Sequence, residues 1–541
     1  MSSQYQEFRQ SSVTKRASCP LAAAAGPSTL PRSRRAFISA LGALATASIT
    51  LATDSSLAAQ RPGTTGSAAP SSPASKGQPQ FSAPRGLDSR ATRSRIVLQL
   101  NGTLKVADPD PSSKKPPREA EIKAESTIDF DERVVFDSES LPIAAARHYN
   151  EAAVQAWVAG NASSHELRPE CTTARLLRSD GVWQQYCPAR MLQPREVDLL
   201  RLPVNTIVLD HLLPSEPMKS DSTWSPDEST IAELFYLEAV HSSTFVARVT
   251  KIEDGVASIE CEGIVEGSVN SVPTKLNVSG NLQATIGDGG ALVTWVGMSL
   301  TETRSISQAE PGFTLTARIK LIRKADPEAC SDADETELRQ LAGSEDDGRW
   351  LLQLASVAGR YQFLADRRWK TIVDTGEESI VRLVEKNLVV AQCNITRLPK
   401  LAEGQQLTLA GMQDDIRRSL EKSLESIVEA GERRNAAGLR VLKIVAIGSS
   451  SDVPVRWVYS HISDDSGRRV SLVFTMSGEA AETFALADEQ MTSSFELLAE
   501  AAVSEPTPAE QKTPAVSAVK PPVAKPAANT ATKPVARKAR R

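Results

Sequence analysis

Apolar and polar residues alternate one by one over several long runs of this sequence. The first run places Ile96, Leu98, Leu100, Leu104 and Val106 on one side and polar residues on the other. Two further runs repeat the pattern with Ala120, Ile122, Ala124, Ile128 and Phe130, and with Phe313, Leu315, Ala317, Ile319 and Leu321. Because successive side chains of a strand point to opposite faces, each run predicts a long strand with one apolar face. Such strands favour a large antiparallel sheet that curls around a core.

Two helices are predicted to interrupt this sheet. Ala144–Val158 is rich in alanine, which favours a helix. A second helix is predicted to run to about Leu237. Its start is indicated by Ser225 as the cap, Pro226 at the first helical position and Glu228 as the partner in a capping box.

A curved sheet with helices across its open side is similar in outline to the half-barrels of periplasmic lipoprotein carriers. Residues 93–324 are predicted to form such a β-rich domain, with Asp254-Gly255 at one tight hairpin turn. The resemblance implies an apolar ligand site on the concave face. The alternative is a concave face that is filled as core.

Residues 350–498 combine shorter strands with a strong helical pattern. Five strands are predicted, at Ile380–Glu385, Leu388–Arg397, Leu439–Ile447, Val455–Ile462 and Arg468–Met476. Thr408–Ala430 is predicted to be one long helix, because apolar residues recur at steps of three and four: Leu409, Met412, Ile416, Leu420, Leu424 and Ile427. Thr408 can cap its start and Gly431 can end it. With a closing helix at Ala480–Thr492, this order predicts a two-layer α/β sandwich.

Several segments of this region resemble the PsbP-like α/β sandwich, which is named for an extrinsic photosystem subunit. They are Arg-Arg-Trp at 367–369, the strand VVAQCNITRLP, the hairpin VPVRWVYSHISDDSGRRVSLVFTM and the residues SSFELL after the final helix. The resemblance implies an adaptor or accessory subunit without catalytic residues, and it assigns no functional residue. The whole chain is thus predicted to be an α+β protein.

An export signal is predicted at residues 1–59. Arg34 and Arg35 resemble the twin-arginine pattern of exported bacterial proteins, a mildly apolar run follows, and small residues allow cleavage after Ala58 or Ala59. A retained membrane anchor is the alternative, but the run falls short of the ~20 strongly apolar residues of a typical span. The predicted location is therefore the periplasm or the cell envelope.

Three other segments lack the apolar residues that a core needs. Residues 60–92 predict a flexible spacer, residues 325–349 an acidic solvated connector with a short helix around Glu335–Ala342, and residues 499–541 a disordered basic tail. From Gln511 onward the tail has eight Lys/Arg and no acid. It can contact an anionic envelope polymer or membrane surface by charge, or serve only to keep the protein soluble.

The charge of the remaining chain argues against a nucleic-acid partner. The formal net charge is -4, and residues 1–59 alone carry six Lys/Arg against two Asp/Glu, so the remainder is more acidic than the whole. An acidic body does not provide the basic groove that nucleic acids require.

The cysteines and histidines give little sign of chemistry. Cys171 and Cys187 flank a predicted hairpin, which suggests a disulfide although the two are not in ideal register. Cys393 shares a strand face with Ala391 and is predicted to be a buried small hydrophobe rather than a nucleophile for His461. Trp457 and Tyr459 are predicted to pack opposite Phe474 and Leu472, with His461 as a hydrogen-bonded edge residue. The other histidines lack metal-ligand spacing, and no phosphate loop, GxSxG elbow, CxxC or dinucleotide fingerprint occurs.

The sequence therefore favours a non-enzymatic exported envelope protein that acts as a binding or scaffolding module. No cofactor, metal or catalytic residue is expected. Its partner is predicted to be an unidentified protein or an apolar ligand. The alternatives are a carrier of lipid or another apolar ligand in the curved sheet, and a hydrolase whose site the sequence does not reveal.

Overall fold

The chain folds mainly into antiparallel strands, and the structure is a computed structural model. It describes residues 80–499 except 108–115, 180, 288, 308, 345–346 and 403. The predicted signal residues Arg34, Arg35, Ala58 and Ala59 lie outside the described residues, as do most of the predicted spacer and the basic tail beyond 499. Within the described ranges, no helix is both long and apolar enough to cross a membrane.

The first region forms one thirteen-stranded antiparallel sheet, here called the large sheet. Its strands are β1 Ser89–Val106, β2 Arg118–Phe136, β3 Pro142–Val158, β4 Asn161–Glu166, β5 Thr173–Ser179, β6 Val182–Tyr186, β7 Thr223–Trp224, β8 Ala239–Ser243, β9 Val246–Glu253, β10 Val256–Val269, β11 Val272–Gly287, β12 Gly290–Arg304 and β13 Gly312–Ala325. Their order is β6-β5-β3-β2-β1-β13-β12-β11-β10-β9-β7, with β4 on β3 and β8 on β10. The sheet is not closed.

The predicted alternation is confirmed in the large sheet. Ile96 of β1 pairs with Ile128 of β2 and with Leu321 of β13, and all three side chains are buried. The Asp254-Gly255 turn also joins β9 to β10 as predicted, because Glu253 pairs with Val256. A local pattern of period two was therefore sufficient to place these strands and their buried face.

The predicted helix at Ala144–Val158 is wrong, because these residues form β3. They pair with β2 on one side and with β4 and β5 on the other. Burial alternates along the strand, with Ala152, Val154 and Ala156 inside and Gln155 outside. The helix propensity of alanine is worth less than 1 kcal/mol per residue, so two long ladders of strand pairing outweigh it.

An irregular segment, residues 200–213, lies across the buried face of the large sheet. Its Asp210 carboxylate accepts hydrogen bonds from the guanidinium groups of Arg90 on β1 and Arg323 on β13. The backbone N–H of Val293 on β12 donates to Asp210 Oδ1 at 2.9 Å. One acidic side chain therefore ties the segment to three neighbouring strands.

A second polar anchor holds the same segment to β2 and β3. Thr206 Oγ1 donates to Glu132 Oε2 at 2.7 Å, and Arg147 Nε donates to the same oxygen at 2.8 Å. All three side chains are buried. The face that the half-barrel resemblance assigned to an apolar ligand is thus packed with the protein's own residues, as the filled-core alternative predicted.

Three helices belong to the first region and the segment after it: α1 Pro194–Leu199, α2 Glu228–Phe235 and α3 Glu335–Ala342. The predicted cap of α2 is wrong by two residues, because Asp227 rather than Ser225 accepts the hydrogen bond from Thr230 N–H. Helix α3 has the predicted bounds, but the acidic connector around it is not simply solvated. Cys330 and Leu338 are buried against β3, and Arg133 donates to the Cys330 carbonyl at 3.1 Å.

The second region contains two more sheets. One, here called the small sheet, has strands β14 Leu352–Ser356, β15 Tyr361–Ala365 and β23 Glu496–Leu497. The other, here called the second sheet, has seven strands: β16 Trp369–Asp374, β17 Glu378–Glu385, β18 Leu388–Leu398, β19 Leu424–Arg434, β20 Arg440–Ser450, β21 Val453–Ser463 and β22 Arg469–Ser477. The second sheet has the order β16-β17-β18-β22-β21-β20-β19. Its helices are α4 Leu409–Leu420, α5 Ala481–Phe484 and α6 Ala487–Ser493. The described residues up to Leu498 belong to one compact unit.

The predicted helix at Thr408–Ala430 is only half right. Thr408 caps α4 as expected, since its side chain accepts from Gly411 N–H, but α4 ends at Leu420. Leu424 and Ile427 lie in β19, and Gly431 ends no helix. From Leu424 to Arg434 the chain instead pairs with β20, which satisfies backbone N–H and C=O groups of both strands.

Two smaller predictions for the second region are also corrected. The closing helix is interrupted at Ala485, which has a left-handed φ of 44°, and so forms α5 and α6. The predicted pairing of Tyr459 with Leu472 and Trp457 with Phe474 requires a four-residue turn between β21 and β22. The turn has five residues, so Tyr459 pairs with Val473 and Trp457 with Thr475. As a result Tyr459 packs beside α4, whereas Phe474 belongs to the core on the opposite face of the sheet.

Candidate ligand-binding cavity

A cavity of about 430 Å³ lies between the two regions, and we call it the intersheet cavity. Its walls come from the β5–β6 hairpin, α1 with the turn that follows it, the β10–β11 turn, β14, β16 and the β17–β18 turn. The volume falls within the range of small-molecule sites, about 300–1,000 Å³.

One wall is fixed by an ion pair at the start of α1. Arg168 Nε donates to Glu196 Oε1 at 2.6 Å, and Arg168 Nη2 donates to Glu196 Oε2 at 2.8 Å. Glu196 also accepts from the backbone N–H of Gln193, which closes a capping box. Arg168 Nη1 reaches across to Gln353 of β14 at 3.1 Å. This bidentate pair therefore positions α1 and joins it to the opposite wall.

The opposite wall is joined to the β5–β6 hairpin by Arg367. Its Nη2 donates to the Gln185 carbonyl at 2.5 Å, and its Nε donates to the Trp350 carbonyl at 2.9 Å. The rings of Tyr186 and Trp350 meet edge to face with centroids 5.6 Å apart. These contacts hold the two walls at a fixed separation.

The charged lining is dominated by cations. It contains seven Lys/Arg, namely Arg147, Arg195, Arg201, Arg367, Arg368, Lys370 and Lys386, and four Asp/Glu, namely Asp198, Glu310, Asp374 and Glu385. Burial raises the pKa of Asp198 to about 7, although Lys370 and Arg201 act in the opposite direction. Burial also lowers the pKa of Arg201 to about 9, which still leaves it protonated at neutral pH. The cavity is therefore electropositive under physiological conditions.

Four lining residues carry a buried polar atom without a hydrogen-bond partner among the described residues. The donors are Arg201 Nη2 and Trp369 Nε1, and the acceptors are Gln184 Oε1 and Asn387 Oδ1. Trp369 is only 1% exposed. Because an unpaired buried polar atom costs about 1–3 kcal/mol, a concentration of such atoms on one cavity points to a bound group or water that satisfies them.

The rest of the lining is apolar. Leu200 and Leu354 are buried members of the hydrophobic core, and Trp183 is 8% exposed. Val357, by contrast, is 85% exposed although it also lines the cavity. Val357 therefore lies where the cavity lining meets the protein surface.

The structure places the two predicted disulfide residues near each other as free thiols. Cys171 and Cys187 are both buried, and the pKa of Cys171 is raised to about 12 by burial, with the charge of Glu196 and the Cys187 thiol adding to the effect. Neither thiol lines the intersheet cavity. The disulfide between them stays a prediction.

We expect native mature protein not to react with Ellman's reagent. The five described cysteines, Cys171, Cys187, Cys261, Cys330 and Cys393, are at most 7% exposed, and burial raises the pKa of Cys261 and Cys330 to about 12 as well. After denaturation without reductant, three reactive thiols would support the Cys171–Cys187 disulfide. Five reactive thiols would exclude it.

Cys393 and His461 do not meet. Cys393 is fully buried and pairs with Phe474, which pairs with Val458, so these three side chains share one face of the second sheet. His461 lies three residues after Val458 and therefore points to the other face. Burial raises the pKa of the Cys393 thiol well above its usual value, which disfavours a nucleophilic thiolate.

His461 is not the hydrogen-bonded edge residue that the sequence predicted. It lies on the interior strand β21, is 2% exposed, and its Nε2 has no partner within the described chain. Burial, together with the nearby charges of Arg469 and Arg440, lowers its pKa to about 4. The imidazole is therefore neutral at pH 7.

No sequence pattern indicates the intersheet cavity. Its residues come from separate segments between Arg147 and Asn387, and no short motif joins them. Arg-Arg-Trp at 367–369 lines the cavity and also belongs to the segments that resemble the PsbP-like sandwich. Within the described ranges, no group of three or more His, Cys, Asp or Glu is placed to hold a metal ion.

Comparison with known proteins gives no family. No protein-family model and no curated protein matches the chain. The solution structure of cyanobacterial PsbP (CyanoP) from Synechocystis sp. PCC 6803 is similar over 28% of this chain and 98% of that chain, with 14% identity and a TM-score of 0.23. A structure of lipovitellin, solved to describe lipid–protein interactions, is similar over 46% of this chain and 26% of that chain, with 10% identity and a TM-score of 0.25. The first match agrees with the PsbP-like resemblance, but both TM-scores are too low to support an argument about fold or function.

Proposed function

We propose that this protein is a non-enzymatic, exported binding protein and that the intersheet cavity is its ligand site. The observation that carries this proposal is the set of unpaired buried polar atoms on one cavity of ligand size, which includes Arg201 Nη2 and Trp369 Nε1. Export to the periplasm or envelope rests on the twin-arginine pattern at Arg34 and Arg35. We also propose that residues 350–498 form a PsbP-like sandwich, in which α4 covers one face of the second sheet.

Two features favour this function over the alternatives. A carrier that holds an apolar ligand on the buried face of the large sheet would have to displace residues 200–213, which Asp210 and Thr206 tie to that face. A thiol hydrolase would need a reactive thiolate, and Cys393 is buried with a raised pKa and lies on the opposite face from His461. Binding in the intersheet cavity requires neither displacement of residues 200–213 nor a reactive thiolate.

Filling the cavity should abolish ligand binding. Ala355 is an exposed residue of β14 that lines the cavity, so A355W introduces an indole there at small cost to folding. We expect native mass spectrometry of wild-type protein purified from its own host to show a bound small molecule, and A355W to lack it.

The matched control is A358W, which changes the same residue type three positions later, outside the lining. A358W should retain the molecule. A wild-type protein without any bound molecule, or equal retention by both variants, would contradict the proposed site.

A further inference from the structure

We infer that the ligand of the intersheet cavity is an organic anion with an apolar body, whose charged group is held by Arg201 and Lys370. This inference rests on the proposed function, because it assigns the ligand class of the same cavity. It also predicts how the cavity selects between molecules of similar size.

The first argument is the balance of charge. Arg147 is paired with Glu132, and Arg368 is paired with Asp366 and Glu385. Five other lining cations make no ion pair within the described chain: Arg195, Arg201, Arg367, Lys370 and Lys386. Glu385 is taken up by Arg368, so three lining carboxylates, Asp198, Glu310 and Asp374, remain to offset five cations, and Asp198 is partly protonated near neutral pH. An anionic group would therefore complete the charge of this lining.

The second argument concerns the two unpaired donors of the lining; its two unpaired acceptors, Gln184 Oε1 and Asn387 Oδ1, require donors, which water can supply. A guanidinium and an indole N–H only donate, so Arg201 Nη2 and Trp369 Nε1 both require acceptor oxygens. Arg201 also stacks on the Tyr236 ring, with 5.0 Å from its guanidinium carbon to the ring centroid. This contact fixes the direction of the guanidinium. Carboxylate, phosphate or sulfonate oxygens are the acceptors that bind such a fixed group most strongly.

Arg201 and Lys370 line the same cavity, together with Asp198. The charge of each cation lowers the pKa of that carboxyl. Arg201 follows α1, whereas Lys370 belongs to β16. An anion between them would bridge the two walls.

The third argument concerns the remaining volume. A cavity of about 430 Å³ is much larger than an inorganic anion, and Leu200, Val272 and Leu354 line part of it. Aliphatic walls favour an apolar surface, because contact with them removes that surface from water. The occupant is thus an anion that carries an apolar body, such as a fatty carboxylate or an aromatic sulfonate.

A matched pair of dyes tests this inference on the mature protein. 1-Anilinonaphthalene-8-sulfonate (ANS) carries a sulfonate, and N-phenyl-1-naphthylamine has the same ring system without it. We expect fluorescence titration to show at least about tenfold tighter binding of the sulfonate. Decanoate should displace the bound sulfonate, whereas inorganic phosphate at equal ionic strength should not.

Two substitutions locate the anion. R201Q should weaken binding of the sulfonate about tenfold and leave the uncharged dye within about twofold. K370Q provides an independent test should R201Q fail to fold, because Lys370 is only half-buried, and it should act in the same direction. K320Q changes an exposed lysine on β13 that does not line the cavity, and it should alter neither dye.

The outcomes separate this inference from the proposed function. If both dyes bind equally, and A355W abolishes both while R201Q and K370Q change neither, the cavity is a ligand site but the anion preference is wrong. If A355W leaves the binding of ANS unchanged, or if neither dye binds, both the ligand class and the site are wrong.

Discussion

Replacing Asp210 with asparagine is expected to lower the free energy of unfolding by about 3–5 kcal/mol. Asp210 is 0% exposed and lies between the guanidinium groups of Arg90 and Arg323, which are 9% and 1% exposed. Asparagine keeps the shape and can still accept from Val293 N–H, but it removes the carboxylate that, among the described residues, pairs with both buried cations. Two uncompensated charges would then remain in the core of the large sheet.

Urea unfolding of D210N at pH 7 measures this loss. The control is D414N, whose side chain is 67% exposed and pairs with Arg417 on the surface of α4, so we expect a change within about 0.5 kcal/mol. A loss below about 1 kcal/mol for D210N would show that the two arginines do not depend on this carboxylate.

The pH dependence of the Asp210 contribution follows from its pKa. Burial raises that pKa, but Arg323, Arg90 and the Val293 N–H together hold it below the usual value of 3.8. Protonation therefore occurs less readily in the folded than in the unfolded chain. The stabilisation is present above about pH 4 and is lost as pH falls further, through the folded pKa.

His461 is expected to make the protein lose about 3 kcal/mol of stability between pH 6.5 and pH 4. Burial lowers its pKa from 6.5 to about 4, so the unfolded chain binds a proton in this interval and the folded protein does not. The stability is therefore complete above pH 6.5 and declines as pH falls toward 4. A neutral side chain at this position removes that decline.

Unfolding by urea at pH 7, 5.5 and 4.5 tests this expectation with H461Q. Its stability should fall less steeply than that of the wild type over this interval. H241Q serves as the control, because His241 is exposed, and its profile should follow the wild type. An H461Q profile parallel to the wild type would show that another group carries the acid sensitivity.

Local patterns predicted several long strands of the large sheet but not β3. The alternation around Ile96 and Phe313 has no helical interpretation, and both residues were placed correctly. The prediction for Ala144–Val158 was wrong because alanine favours a helix locally. The strands that pair with this segment, β2 and β5, become apparent only in the folded chain. Composition is a weak predictor wherever distant strands compete for a segment.

The second region shows two further limits. Leu424 and Ile427 continue the apolar spacing of α4, yet the same residues form one side of edge strand β19, so spacing alone could not find the end of the helix. One extra residue in the β21–β22 turn exchanged the two faces of the hairpin, which moved Tyr459 away from Phe474. Such a shift leaves the strand boundaries almost unchanged but reverses every packing partner.

The candidate site could not be predicted because it belongs to no single element. Arg201, Lys370 and Asn387 are distant in sequence and lie in different structural contexts. Each is individually an ordinary polar residue. Only the packing of the two regions through Arg168 and Arg367 makes them neighbours.

The pairing of β1 with β13 has a consequence for biosynthesis. These strands lie side by side at the middle of the large sheet, although more than two hundred residues separate them in the chain. During translation one edge of β1 stays unpaired until β13 has been synthesised. The pairing of β1 with β13 at the middle of the sheet therefore forms late and slowly. A messenger RNA truncated before the codons of β13 would yield a fragment that aggregates through the unpaired edge of β1. A chaperone that binds β1 would raise the yield of intact protein.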